Sequence, residues 1–289
     1  MSHQQEIAHL LTRQSFIEQG ARERARSLLD SGTFRELAGP FNRLYSPWLA
    51  AQDIATQADD GVIVAKGRLD GHAGVILAIE GGFQGGSLGE VGGAKLAGAL
   101  EMAAEDNRRG NPTRAVILFE TGGVRLQEAN LGLAAIAEIH AAIVDLCRYQ
   151  PVIGVIAGSV GCFGGMSIAA GLCSYLIMTR EARLGLNGPQ VIEQEAGIDE
   201  YDSHDRPFIW SLSGGAQRHT TGFADALLED DAEQIRRQVM QFFAQGQPAL
   251  PRQLRCRWYQ QRLASVDTAR QTDAHMVRAI FSHQKDQYE

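Results

Sequence analysis

The chain has 289 residues, a net charge of −7, and 44% hydrophobic against 21% charged residues, the balance of a folded domain able to bury its own core without disulfides or a structural metal. The acidic balance excludes a general nucleic-acid binder. Four cysteines, Cys147, Cys162, Cys173 and Cys256, lie far apart without CxxC spacing, which argues against a zinc ribbon or a disulfide framework and fits a reducing cytoplasm.

Residues 1 to about 58 alternate charged and apolar positions at helical spacing, and Ala21 to Leu29 predicts an exposed helix stopped by Ser31-Gly32. No signal peptide is expected from the polar amino terminus. No membrane span is expected either, because the long apolar stretch Leu131 to Cys147 is broken by Glu138, His140 and Asp145. GVIVAKGRL and AGVILAIEGG are β-branched runs flanking Asp70-Gly71-His72, a hairpin signal. The glycine-rich GGFQGGSLGEVGG leads into a predicted helix from Ala94 to Arg109, ended by Gly110-Asn111-Pro112.

From there the pattern is strand, glycine turn, helix. AVILFE, TGG and Leu126 to Tyr149 form one such unit; VIGVIAG, SVGCFGG and Met166 to Leu172 form the next, and SYLIMT is a further strand. Strands separated by helices of this length imply parallel pairing. Beyond Pro189 the chain predicts helices, with linkers at Gly197 to Arg206 and Gln245 to Pro251.

The chemistry concentrates at Thr121-Gly122-Gly123-Val124 and Phe163-Gly164-Gly165-Met166, each following a buried strand and opening a helix. Helix N-termini carry N–H groups without internal partners and attract negative charge. Glycine lets backbone approach a ligand closely. Two such turns on neighbouring strands could aim N–H groups at one point as an oxyanion hole. Close strand–helix packing accounts for the same glycines, and the pattern alone leaves both readings open.

The segments GGSLGEVGGAK, ETGGVRLQEA, GGMSIAAGLCSYLIM and LGLNGPQVIEQ resemble, in order and spacing, the carboxyltransferase subunits of acyl-CoA carboxylases over roughly residues 60 to 200. ARERARSLLDSGTF, FETGGVRLQEANLGL and EYDSHDRPFIWSLSGG look like the β-subunit branch of biotin-independent malonate decarboxylases. The first turn reads TGGVRLQEAN where the carboxylases more usually have SGGARMQEG, and their four-cysteine zinc ribbon has no counterpart.

The resemblance implies an α/β fold, the crotonase-like ββα superhelix. It places a helical segment at 1–58, the carboxyltransferase core at 59–200, and a helical part of the same domain at 201–289 packing on a partner. It implies decarboxylation of a malonyl thioester on an acyl carrier protein whose prosthetic group is of dephospho-CoA type. No covalently bound cofactor, metal, nucleic acid or membrane enters that chemistry. The partners implied are a homologous crotonase-like γ subunit, the acyl carrier protein and an acyl transferase subunit. The alternative is the carboxyltransferase of a biotin-dependent system.

Carried over residue by residue, the resemblance makes Gly164 and Gly165 the oxyanion donors and places Gly122, Gly123, Val124, Gln127, Glu128, Cys162 and Phe163 around the substrate. A charge at Glu128 would more simply satisfy free N–H groups at a helix start. A Gly165→Val change is expected to fold and to abolish turnover by blocking approach. Ser167 also follows GGM as a peptidase nucleophile would, but neither His140 nor His219 can be placed as its base from sequence, and a helix-face histidine such as His140 is ordinarily structural. The segment Arg252 to Arg262 reads as an amphipathic helix with Trp258 and Tyr259 buried, and secondarily as a basic surface for an acidic carrier or a partner subunit.

Overall fold

The computed structural model describes residues 13–267, 269 and 272–282. In chain order these form helix α1 (Ala21–Leu28), strand β1 (Arg35–Leu37), the one-turn helix α2 (Pro47–Ala50), strands β2 (Val62–Leu69) and β3 (His72–Ile79), and helix α3 (Glu90–Arg108). Strand β4 (Arg114–Phe119), helix α4 (Asn130–Leu146), strand β5 (Val152–Ile156), helix α5 (Gly165–Leu172) and strand β6 (Tyr175–Thr179) follow. Then come helices α6 (Pro189–Ala196), α7 (Arg206–Ser213) and α8 (Gly215–Thr220), strand β7 (Ala226–Leu228), and helices α9 (Ala232–Gln245), α10 (Cys256–Leu263) and α11 (Ala274–Ser282).

The strands make one seven-stranded sheet in the order β1 to β7. The pairs β1–β2 and β2–β3 are antiparallel, and every pair from β3 to β7 is parallel. The hairpin turns at Asp70 (φ 52°) and Gly71 (φ 76°), the two left-handed residues that a tight turn between twisted strands requires. Alternate side chains of each strand enter opposite cores. Val62, Val64, Val152 and Ile156 pack against α3, α4 and α5, whereas Ile63, Ala65, Ile153 and Val155 pack against α1 and α9. With both faces covered, the central strands are apolar throughout, which is why they read as continuous hydrophobic runs.

The chain ends differ from the sequence expectation. Helix α1 is not exposed: Ala21, Arg24, Ala25 and Leu28 are buried on the sheet. Both flanking segments expected to be helical also donate a strand, β1 from the amino-terminal part and β7 from beyond Pro189, each of three residues. Strands that short have too few alternations to register as a pattern. The residues before 13 lie outside the described part. Among the described residues no helix is long and apolar enough to cross a membrane.

Arg24 ties α1 to the end of β4. Its guanidinium pairs with Glu120, the residue before the first glycine turn, and donates to the carbonyls of Phe16 (2.8 Å) and Ile17 (2.6 Å). The pair is almost fully buried, at 7% and 10% side-chain exposure. Asp230, just after β7, accepts the N–H groups of Phe16 (2.7 Å) and Ile17 (2.9 Å). Removing one partner of a buried pair strands the other charge, so Arg24→Ala is expected to cost about 3–5 kcal/mol. Urea unfolding measures this, and Arg24→Met combined with Glu120→Gln should recover part of the loss.

Candidate active site at two abutting glycine turns

The two turns meet. Thr121 and Cys162 form an isolated parallel bridge beyond β4 and β5, with Thr121 N–H donating to Gly161 O (2.8 Å) and Phe163 N–H to Thr121 O (3.0 Å). Past the bridge the backbones almost touch. A Cβ built on Gly123 (φ 109°) would stand 3.2 Å from the Gly164 Cα, and one on Gly164 (φ 59°) would stand 3.3 Å from the Gly123 Cα. Their left-handed backbones and this close approach both demand glycine.

The other sequence motifs buttress the pair. Gly122 N–H donates to Gly85 O (2.9 Å), and Leu88 pairs with Val124, so the GGSLGE loop lies beside the first turn. Gly123 N–H is taken by the Thr121 hydroxyl at 3.0 Å. Gly164 N–H donates to Leu186 O (2.8 Å), which brings in the segment leading to α6, whose helix starts with Pro189 at its first turn.

Of the two expected donors, Gly164 therefore has its N–H committed to the protein itself, as do Gly122 and Gly123 of the expected substrate-binding set. Gly165 is the exception. It opens α5, where helix geometry supplies no internal acceptor, and no other described loop takes its N–H. Val124 matches it from the other side. In the bridge to Leu88 the bonds run through Gly123 O and Arg125 N–H, so the Val124 N–H points away from Leu88. The Val124 nitrogen lies 3.9 Å from the Cβ position of Gly164. The uncommitted donors are thus Val124 on the first turn and, on the second, Gly165 followed by Met166 at the opening of α5.

The remaining expected site residues divide. Gln127 is exposed beside the first turn, and its carbonyl accepts from the Gln52 amide at 2.8 Å. Glu128 is buried with no side-chain exposure, bonded to Arg125 (3.0 Å) and to the Glu90 N–H (2.7 Å). It caps an N-terminus as anticipated, but that of α3 rather than of its own helix. Cys162 is fully buried in the core, and burial pushes its thiol well up from the ordinary range. Phe163 is buried under Arg183, whose guanidinium lies 5.6 Å from the ring centroid. The side chains of Glu128, Cys162 and Phe163 are thus buried behind the turns.

Sequence reasoning missed the brace behind the first turn. Arg125 is fully buried, with Asp60 at 2.8 Å and Glu128 at 3.0 Å, and donates to Ser87 O at 2.8 Å. Asp60 also accepts the Gly92 N–H (2.8 Å) in the first turn of α3. Burial pushes the Asp60 carboxyl up, opposed by the attraction of Arg125. Asp60 lies 65 positions before Arg125, and nothing local in the sequence marks it as a partner.

The second turn is held from outside as well. His140 of α4 bonds the Gly165 carbonyl through Nε2 at 2.8 Å, and the Ser167 hydroxyl donates to Gly164 O at 2.7 Å. Ser167 and His140 each bond to a main-chain carbonyl and not to each other. Next to Ser167 a cavity of about 230 Å³ is lined by Leu184, Leu186, Arg218, Phe223 and Arg252. Arg252 bonds the carbonyls of Gly171 (3.3 Å) and Cys173 (3.1 Å) and pairs with Asp225. Trp258 and Tyr259 stack among Phe223 and Phe281. The Arg252 to Arg262 segment is thereby a packing device, with much of its basic charge satisfied internally. Glu193, Asp202 and His204 form the grouping with cation-ligand spacing among the described residues, on an exposed edge at α6.

Two outcomes follow from this burial. Glu128→Ala removes the α3 cap and is expected to cost about 2 kcal/mol by chemical denaturation, whereas Glu128→Gln still accepts the Glu90 amide and should keep most of the turnover. With burial pushing the Cys162 and Cys173 thiols up and Cys256 exposed, a thiol reagent should label native Cys256 first. Cys162 and Cys173 should react only on unfolding, which peptide mass spectrometry can read.

Comparison with known proteins agrees with this geometry. The family model described as "Carboxyl transferase domain" matches residues 18–278. The chain of a Pseudomonas malonate decarboxylase hetero-tetramer, solved in complex with malonate, is 69% identical over 95% of this chain and 100% of that one, with a TM-score of 0.92. A chain of the Pseudomonas malonate decarboxylase MdcD–MdcE hetero-dimer is 63% identical over 89% of this chain and 99% of its own length, with a TM-score of 0.75. The malonyl-S-ACP:biotin-protein carboxyltransferase MADC of Malonomonas rubra is 40% identical over 77% of this chain and 73% of its own. The α/β arrangement is the crotonase-like one of such carboxyltransferases. With the family match spanning nearly all of its length and its glycine turns, the chain belongs to the carboxyl transferase domain family.

Proposed function

We propose that this chain is the thioester-binding β subunit of a malonate decarboxylase. With a homologous γ subunit it converts malonyl-S-acyl-carrier-protein into acetyl-S-acyl-carrier-protein and carbon dioxide. The observation that carries the reading is the pair of uncommitted N–H groups, Val124 and Gly165, on two turns in backbone contact. The similarity to the Pseudomonas malonate decarboxylase chain supports the choice of substrate.

As the bond from Cα to the carboxylate breaks, its electron pair flows into the thioester and charge gathers on the carbonyl oxygen. Fixed donors aimed at that oxygen lower the barrier, each worth about 3 kcal/mol. Gly165 adds the positive end of the α5 dipole. A proton at Cα then completes the acetyl group. Glu128 is committed to Arg125 and the α3 cap, so that proton enters from the carrier side, the partner subunit or solvent. The malonyl group arrives on a dephospho-CoA-type arm of the acyl carrier protein, loaded by an acyl transferase subunit. Leu126, Ile168, Leu186 and Val191 are large apolar residues left exposed in the segments that follow or support the turns, and the γ subunit is the partner that would cover them.

The Malonomonas relative favours a second reading, in which the carboxyl group passes to biotin. Avidin separates the two: turnover of the purified complex in its presence supports decarboxylation, and inhibition supports carboxyl transfer.

A valine at Gly165 would not test the donor cleanly. A Cβ there points at Ile136 Cγ2, 2.8 Å away, and so meets helix α4, not the substrate. Proline removes the N–H itself and is well tolerated at the first position of a helix. In an Ile136→Ala background, Gly165→Pro is expected to lower kcat about 10²–10³-fold while Gly165→Ala keeps most of it. Equal activities for the two variants would refute the oxyanion assignment.

A further inference from the structure

The peptide unit joining Gly164 to Gly165 carries the Gly165 N–H at one end and the Gly164 carbonyl at the other. That carbonyl accepts twice from Ser167, from the hydroxyl at 2.7 Å and from the N–H at 3.0 Å. The next unit is held too, since the Gly165 carbonyl takes His140 Nε2 at 2.8 Å. A carbonyl oxygen only accepts, so His140 carries its proton on Nε2. His140 lies one turn beyond Ile136 on α4, and Ile136 fills the space beside Gly165.

Two features make these bonds more than routine satisfaction. Gly164, the residue before the helix, has a left-handed φ of 59° and provides no side-chain cap, so the carbonyl end of this peptide depends on the bonds from Ser167. Hydrogen bonds accepted at a carbonyl also polarise the amide and strengthen its N–H as a donor. Both side chains act on the backbone that flanks Gly165.

We propose that Ser167 and His140 are positioning residues, locking the two peptide units around Gly165 so that its N–H stays aimed at the thioester oxygen, with Ser167 also strengthening that N–H through the amide it shares with the Gly164 carbonyl. The proposal rests on the reading of Gly165 as an oxyanion donor. It is tested on the complex assembled with its partner subunits, by difference infrared spectroscopy of bound acetyl-CoA carrying ¹³C at the thioester carbonyl. Wild type should shift the carbonyl stretch to lower frequency. The Ser167→Ala/His140→Ala double variant should lose most of that shift and up to about a hundredfold in kcat, the cost of a misplacement of about 1 Å, with KM unchanged. Ser167→Thr with His140→Gln should restore both readouts. A full shift and normal kcat in the double-alanine variant would overturn the positioning role while leaving the Gly165 reading intact. Absence of any shift in wild type would overturn both. Should the double variant fail to assemble, each single alanine variant is read by the same two measurements.

Discussion

Between Gly123 and Gly164 two segments of backbone approach until only hydrogen fits, and the rest of the candidate site follows from that approach. It continues the parallel register of β4 and β5 past the sheet through the Thr121–Cys162 bridge, so the two glycine turns arrive side by side. Neighbouring chain then absorbs the N–H groups of Gly122, Gly123 and Gly164, leaving Val124 on the first turn and the opening amides of α5 on the second. The two readings of these glycines in the sequence, close packing and anion stabilisation, are not rivals. Packing brings the corners together, and the donors left unspent by packing are those available to chemistry.

Buried charge keeps the first turn in place. Arg125 between Asp60 and Glu128, and Arg24 against Glu120, put ions where desolvation is costly, and hydrophobic replacements would often be as stable. What the ions provide is direction. Arg125 reaches Ser87 and two carboxylates that hold the start of α3, while Arg24 fixes the residue immediately before Thr121. A greasy core would fill the same space without specifying where the turn must lie.

The central architecture was legible in the sequence because it is written locally: the Asp-Gly hairpin, the apolar runs of β4 to β6, and glycine pairs at strand ends. The four motifs that carry the family resemblance prove to be spatial neighbours, joined by backbone bonds through Gly85, Leu88, Thr121 and Leu186. Less legible was which amide is spent. Gly164 and Gly165 look alike as letters, and only the position of Leu186 distinguishes them. Burial misled at Cys162 and Glu128, which belong to the motif by position but to the interior by orientation. β1 and β7 escaped notice because three residues carry no periodicity, and Asp60 because its partner is remote in the chain.

Asp230 grips the amides of Phe16 and Ile17 across more than two hundred positions, closing the fold into a ring in which nearly the last strand made fastens nearly the first segment made. Seating of the stretch before α1 is thus completed only when the segment after β7 is present. A chain that carried both glycine motifs but stopped short of Asp230 would lack that fastening of the segment leading into Arg24 and its partner Glu120.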